Sequence, residues 1–203
     1  MAFDDFFVLD EKTKKKIKDY GELSAKVNAF FHEYVKEYHI PTSFEYTLGN
    51  GNLVFSSTET FPVYIKILNT SNKNISKIFS LAKNTPLQVP VLENYLSADS
   101  NYQLNEHHII SFNILPLADF KMMGRIATKV NVILKSFFER RNLLLSELSC
   151  TFGRCGEKVV LLGQFSPHQI KLLPKDEPGN GFELSTPSSI KKYLELFQES
   201  VQH

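Results

Sequence analysis

Several groups of side chains in this sequence have types and spacings that could do chemistry. His107 and His108 are adjacent, and imidazole is a common metal ligand. Glu147, Ser149 and Thr151 alternate, which on a strand puts all three on one face. Lys12, Lys14, Lys15, Lys16 and Lys18 form a basic run that could hold an anion. Gly49-Asn50-Gly51-Asn52 is glycine-rich in the manner of a phosphate cradle. Each has a plainer reading. The surroundings of the two histidines suggest a strand, where neighbours point to opposite faces and one ion could not readily use both, so we read them as structural. No aromatic residues interleave with the lysines, which fits a solvated face. Neither a helix pattern nor a Lys-Ser/Thr pair follows the glycines, so they read as a hairpin turn rather than a P-loop.

The elements that would position these groups follow from periodicity. Leu23, Val27, Phe30, Phe31, Tyr34 and Val35 recur at spacings of three and four, which predicts a helix over residues 22–38, stopped by Pro41. Phe44–Leu48 and Leu53–Phe55 flank the glycine-rich turn as a hairpin. Residues 62–68 read as a buried strand and 69–77 as a polar loop. Pro86 and Pro90 bracket an extended stretch, and residues 107–114 read as a further strand. Asp119 is the expected N-cap of a helix through Arg141, with Ile126, Val130, Ile133 and Phe137 as its apolar stripe. A second hairpin is expected from 143–152 and 157–165, turning at Gly153–Gly156, and residues 176–181 read as a loop. Thr186 and Pro187 open a last helix as N-cap and first residue, with Ile190, Leu194, Phe197 and Val201 on its apolar face. No internal repeat is visible.

Composition sets the outer bounds. The 203 residues are 42% hydrophobic and 22% charged, which excludes a disordered chain and suits one unit or two small lobes. Lys+Arg 23 against Asp+Glu 22 gives no reason to expect nucleic acid or an acidic membrane as partner. Two cysteines, Cys150 and Cys155, cannot make a disulfide framework and fit a reducing compartment. No apolar run approaches the roughly 20 residues of a membrane span, and the N-terminus lacks the pattern of a signal peptide. The expected location is the cytoplasm.

Two longer segments carry a more specific signal. Residues 129–153 (KVNVILKSFFERRNLLLSELSCTFG) and 158–172 (KVVLLGQFSPHQIKL) resemble the SAICAR synthetase family, the phosphoribosylaminoimidazole-succinocarboxamide synthases of purine biosynthesis. The family pattern there is a helix, Leu-Val-Asp-Phe-Lys-Leu-Glu-Phe-Gly, a turn, and Val-Val-Leu-Gly/Ala-Asp-Glu-Phe/Ile-Ser-Pro-Asp. Tyr20-Gly21-Glu22-Leu23, Ile40-Pro41-Thr42 and Phe61-Pro62-Val63 resemble other family segments. The resemblance implies an α+β, two-lobed ligase fold, with a reduced N-terminal lobe over 1–61 and an α+β lobe over 62–203, in which ATP and Mg²⁺ activate a carboxylate and aspartate then attacks it. Such chemistry needs donors around the phosphates, hard oxygen ligands for Mg²⁺ and cations on the transferring group.

Placed on the family pattern, the charged residues of that site are missing. The metal Glu position holds Thr151 and the metal Asp position Gly163. Gln164 and His168 replace two further acids, Ser149 replaces a lysine, and Leu68 and Thr70 stand where the substrate-binding strand has arginines. Met1-Ala2-Phe3-Asp4 resembles a family segment that follows the glycine- and lysine-bearing phosphate hairpin, so the resemblance leads us to expect that hairpin to be missing. The resemblance therefore implies a family member that binds a ligand or partner without the usual ligase activity, with no metal and no cofactor. The alternative is a working ATP- and Mg²⁺-dependent synthase with a rebuilt site. Its catalytic candidates are Glu147, Lys171 and His168, and Lys66, Asn69 and Ser166 are candidates for holding substrate or another ligand. The expected partners are a small anion or nucleotide, a second copy of the chain, or another protein.

Overall fold

The computed structural model describes residues 1–8, 14–49, 51–163, 165–177 and 187–202. In chain order the elements are β1 (Phe6–Val8), β2 (Lys14–Lys16), α1 (Tyr20–Glu37), β3 (Phe44–Gly49), β4 (Asn52–Phe55), β5 (Glu59–Thr70), α2 (Lys73–Phe79), β6 (Pro86–Leu96), β7 (Asp99–Leu104), α3 (Glu106–Ser111), α4 (Leu117–Glu139), β8 (Leu143–Cys155), β9 (Lys158–Leu162), β10 (Ile170–Pro174) and α5 (Pro187–Gln202). This is an α+β fold. Its main sheet is antiparallel, with order β10-β8-β5-β6-β7 and β9 also on β8. Strand β5 takes one edge of β8. The other edge is shared, with β10 alongside Leu143–Leu148 and β9 alongside Thr151–Cys155.

One face of that sheet is covered. The stripe Ile126, Val130, Ile133 and Phe137 of α4 is buried, as its spacing predicts. It joins Val63, Ile65 and Ile67 of β5, Leu148, Cys150 and Phe152 of β8, and Val27, Phe31 and Val35 of α1 in one apolar cluster. Helix α5 is pinned by Tyr193, whose hydroxyl donates to the Ile170 carbonyl (2.9 Å) and accepts from the Leu172 N–H (2.7 Å).

Several expectations are corrected. Residues 69–77 are not a loop. Asn69 and Thr70 end β5, and Asn72 caps α2, its side-chain oxygen accepting from Asn74 N and Ile75 N at 3.0 and 2.9 Å. Residues 107–114 are not a strand. Asn105 and His108 form a reciprocal capping box that starts α3, the arrangement that satisfies orphan N–H groups at a helix start. His108 is spent on that cap, and no group of three metal-ligating side chains occurs among the described residues. Asp119 is not an N-cap. The helix begins two residues earlier, and the Asp119 carboxylate pairs with Arg154 of β8. Gly153 lies within β8, and the hairpin turns at Gly156, whose φ of 58° suits glycine. The proposed cap Thr186 and the end of the 176–181 loop fall outside the described residues, as do Lys12 and the side chains of Leu194, Phe197 and Val201. Lys14–Lys16 form the short strand β2 against β1. No described helix is long and apolar enough to cross a membrane.

Candidate functional site

The face of the main sheet opposite α4 carries the polar side chains. Residues directly opposite on paired strands share a face, so the register gives three rows. Tyr95, Tyr64 and Thr151 form one, Glu93, Lys66 and Ser149 the second, and Val91, Leu68, Glu147 and Lys171 the third. Lys66, Glu147, Ser149, Thr151 and Lys171 are thus brought onto one surface. Tyr64 and Tyr95 stack with centroids 5.4 Å apart, and the Lys66 ammonium lies 5.3 Å from the Tyr95 ring. The Tyr95 hydroxyl donates to Glu93 at 2.8 Å. Burial, then the hydrogen bond to Glu93, raises the Tyr95 pKa, which keeps that donor protonated.

A carboxylate stands beside each lysine of this surface. Lys171 Nζ lies 2.8 Å from Glu147 Oε2, and Lys66 sits beside Glu93 in the register. The Glu147 carboxylate is in turn occupied by a salt bridge rather than turned toward a metal position.

Other candidates lie elsewhere. Asn69 is buried against α4, where it exchanges two amide hydrogen bonds with Asn131 at 2.8 and 2.9 Å. It is three residues from Lys66, so alternation alone places it on the covered face. His168 stacks on Phe7 at 4.4 Å with rings 12° apart, and burial lowers its pKa. Ser166 is buried, with its hydroxyl on Gln169. Of the two former arginine positions, Leu68 is fully buried and Thr70 shares a 2.6 Å hydroxyl contact with Ser146. Asn69, His168, Ser166 and Thr70 do not belong to the open surface with Lys66, and Leu68 lies on its face but is buried.

Thr151 and Gly163 do meet. They lie where the shared edge of β8 passes from β9 to β10, and the segment between is held by Ser149 N donating to Gln169 O at 2.7 Å. Gly163 has a φ of 90°, and a β-carbon there would run into the Thr151 hydroxyl oxygen. The space beside them is about 10 Å³ and is lined by Ser149, Cys150, Thr151, Leu161, Leu162, Gly163, Phe165 and Gln169. That is room for at most one water. Among the described residues the side-chain donors are two hydroxyls, an amide and a thiol, with no carboxylate. Burial pushes the Cys150 thiol up to about 12, so it offers no thiolate at neutral pH. Mg²⁺ is usually held by carboxylates with phosphate and water, and these residues do not fit it.

Two residues that organise this corner were not legible as such. Asn28 and His32 stand four apart on α1 and are fully buried. Asn28 Oδ1 accepts from Phe165 N at 2.6 Å, and its amide donates to Ser24 O at 2.8 Å. His32 Nε2 lies 3.2 Å from the Gly163 carbonyl, so the neutral ring donates there. Phe44, Phe55 and Phe165 surround the imidazole at 4.9–5.4 Å, and its Nδ1 has no partner among the described residues. The one sequence signal was two polar residues at helical spacing beside an apolar stripe.

His32 carries a pH prediction. Burial, the largest cause, lowers its pKa to about 4, against about 6.5 in the unfolded chain. Between these values the unfolded chain takes up a proton that the folded one refuses. Stability is then expected to fall as pH drops from about 6.5 to about 4, by about 3 kcal/mol in all. Urea unfolding at several pH values tests this against His32→Gln, whose stability should vary less across the window. Equal pH dependence in both would refute it.

Comparison with known proteins places this geometry. The family model for SAICAR synthetase matches residues 1–193. The phosphoribosylaminoimidazole-succinocarboxamide synthase of Marinobacter nauticus is 27% identical over 175 residues, which cover 85% of this chain and 74% of that protein. The crystal structure of SAICAR synthetase from Pyrococcus horikoshii superposes with a TM-score of 0.85 at 22% identity, covering 98% of this chain and 92% of the other. A SAICAR synthetase solved in complex with ADP gives 0.84 at 23% identity, covering 98% and 87%. At these identities the two structures speak to the fold.

Proposed function

The chain belongs to the SAICAR synthetase family, and on that premise we propose that it uses the family fold to bind a ligand or partner without performing ATP-dependent ligation. The observation that carries this reading is the Thr151–Gly163 corner. The two positions that the family resemblance assigns to metal carboxylates hold a hydroxyl and a bare backbone, in a space of about 10 Å³. Phosphoryl chemistry depends on charge placed at the transferring group, and among the described residues no carboxylate lines that space.

A surface remains for a ligand or partner on the same sheet face. Tyr64 and Tyr95 offer a stacked aromatic pair, Lys66 and Ser149 flank it, and the Glu147–Lys171 salt bridge bounds it. The surface suits a flat ligand such as a nucleotide base, or an apolar and hydrogen-bonding patch of a partner chain.

The second reading is a working synthase with a rebuilt site, using Glu147, Lys171 and Lys66. The names of the relatives back it better than they back the inactive reading, since the Marinobacter protein is named a synthase. Thermal unfolding with ATP, with and without Mg²⁺, separates the two. At 100 times its Kd, a bound ligand adds about 2.7 kcal/mol, or roughly 5–10 °C for a chain of this size. The expected result is no extra shift from Mg²⁺. A Mg²⁺-dependent ATP shift that disappears in Glu147→Gln would overturn the inactive reading.

A further inference from the structure

A cavity that the candidate site does not use lies on the opposite side of the main sheet. It has a volume of about 510 Å³ and sits between the His39–Pro41 turn, the first half of α4 and the β8–β9 turn. Small-molecule pockets fall in the range of about 300–1,000 Å³. We propose that it binds a small amphipathic organic anion, with a flat apolar body and a single carboxylate or phosphate group. The proposal does not depend on whether the chain catalyses ligation.

The floor is apolar. Ile40, Ile126 and Val159 line the cavity while their own side chains are otherwise buried in the core. The rim is cationic. Arg125 and Lys158 are both exposed and line the same cavity. Neither side chain makes a hydrogen bond or ion pair among the described residues. The lining acid Asp119 is already neutralised by Arg154. Among the described residues the exposed Glu157 is the other lining acid, one carboxylate in a lining that also carries Arg125, Lys129 and Lys158. A cationic rim over an apolar floor selects an anion with an apolar body rather than a fully hydrated one.

The walls are fixed before any ligand arrives. Lys129 Nζ donates to the Tyr38 carbonyl at 2.6 Å and ties α4 to the end of α1. Leu161 N donates to Pro41 O at 2.8 Å, and Ser43 N to Leu161 O at 3.1 Å, tying the turn to β9. The Asp119–Arg154 pair ties α4 to β8. A pocket held this way does not have to be ordered by its ligand, which lowers the free-energy cost of binding.

Methionine methyl NMR localises the test. The chain has three methionines: Met122 lines the cavity, Met123 is fully buried and Met1 is exposed at the far N-terminus. With 2-naphthoate as the probe, the Met122 signal should shift saturably while that of Met1 stays fixed. Arg125→Ala combined with Lys158→Ala removes two exposed cations without touching the core, and should weaken binding by about tenfold or more. Ala118→Phe, at an exposed position lining the cavity, should abolish it. The cation 2-naphthylmethylammonium should bind at least about tenfold more weakly than the anion. The proposal is overturned if Met122 does not move at about 1 mM 2-naphthoate, the weak end of the affinity scale. It is equally overturned if Met1 moves with it, if the double variant keeps its affinity, or if the cation binds as well as the anion.

Discussion

Purified protein given ATP, Mg²⁺, aspartate and carboxyaminoimidazole ribonucleotide is expected to form no succinocarboxamide above the protein-free rate. The effect is large because the missing groups act on charge. Enzymes commonly accelerate their reactions by about 10⁶-fold or more, and loss of a single electrostatic donor costs roughly 10²–10³-fold. Here a hydroxyl and a glycine occupy both positions that the resemblance assigns to metal carboxylates. Rates at least about 10⁴-fold below a family synthase assayed alongside follow from two such losses. Returning one carboxylate should not restore activity. At φ 90°, a side chain on Gly163 is strained, and its β-carbon meets the Thr151 hydroxyl. Gly163→Asp should therefore cost stability before it holds an ion. Turnover in the natural chain that is lost in Glu147→Gln would establish the rebuilt site instead.

Phe31→Ala is expected to remove about 3–5 kcal/mol of stability, the usual cost of deleting a buried phenyl ring. Phe31 is fully buried, and among the described residues Phe30, Phe137, Phe138 and Phe165 pack their rings against it. Phe30 and Phe137 meet it edge-on at 5.2 and 5.3 Å, while Phe138 and Phe165 lie tilted at 5.6 and 5.5 Å. Edge-on and offset pairs of this kind add to burial alone. These neighbours sit on α1, α4 and the segment after Gly163, so they cannot collapse together into the void without moving the sheet. Urea unfolding of the two proteins measures the difference. A loss below about 1 kcal/mol would mean that the surrounding rings repack freely, contrary to this account.

The long elements were legible because their signals are local. The stripes of α1 and α4 repeat at the helical period, and the two hairpins follow from runs of alternating or apolar residues around glycine turns. Short elements were not. Helices α2 and α3 span seven and six residues, too few for a stripe to declare itself, and each is started by an asparagine cap that reads equally well as loop. Gly153 looked like a turn because a glycine in a strand is rare. In the fold it lies in β8 where a β-carbon would sit 2.6 Å from the Glu59 carbonyl oxygen, so it permits close approach of β5.

The sequence by itself determined the α+β class, the family likeness and the chemical identity of Thr151, Gly163, Leu68 and Thr70, because each depends on residue type along the chain. Only the tertiary structure decided what those residues face. It set Asn69 against Asn131, His168 on Phe7 and Lys171 on Glu147, and it closed Thr151 over Gly163 under the hold of Asn28 and His32. The physical reason is distance along the chain. The contacts from Asn28 to Phe165 and from His32 to Gly163 join residues 137 and 131 positions apart. Local periodicity says which face a side chain takes, whereas the partner on that face is fixed only when the sheet register and the helix packing bring remote segments together.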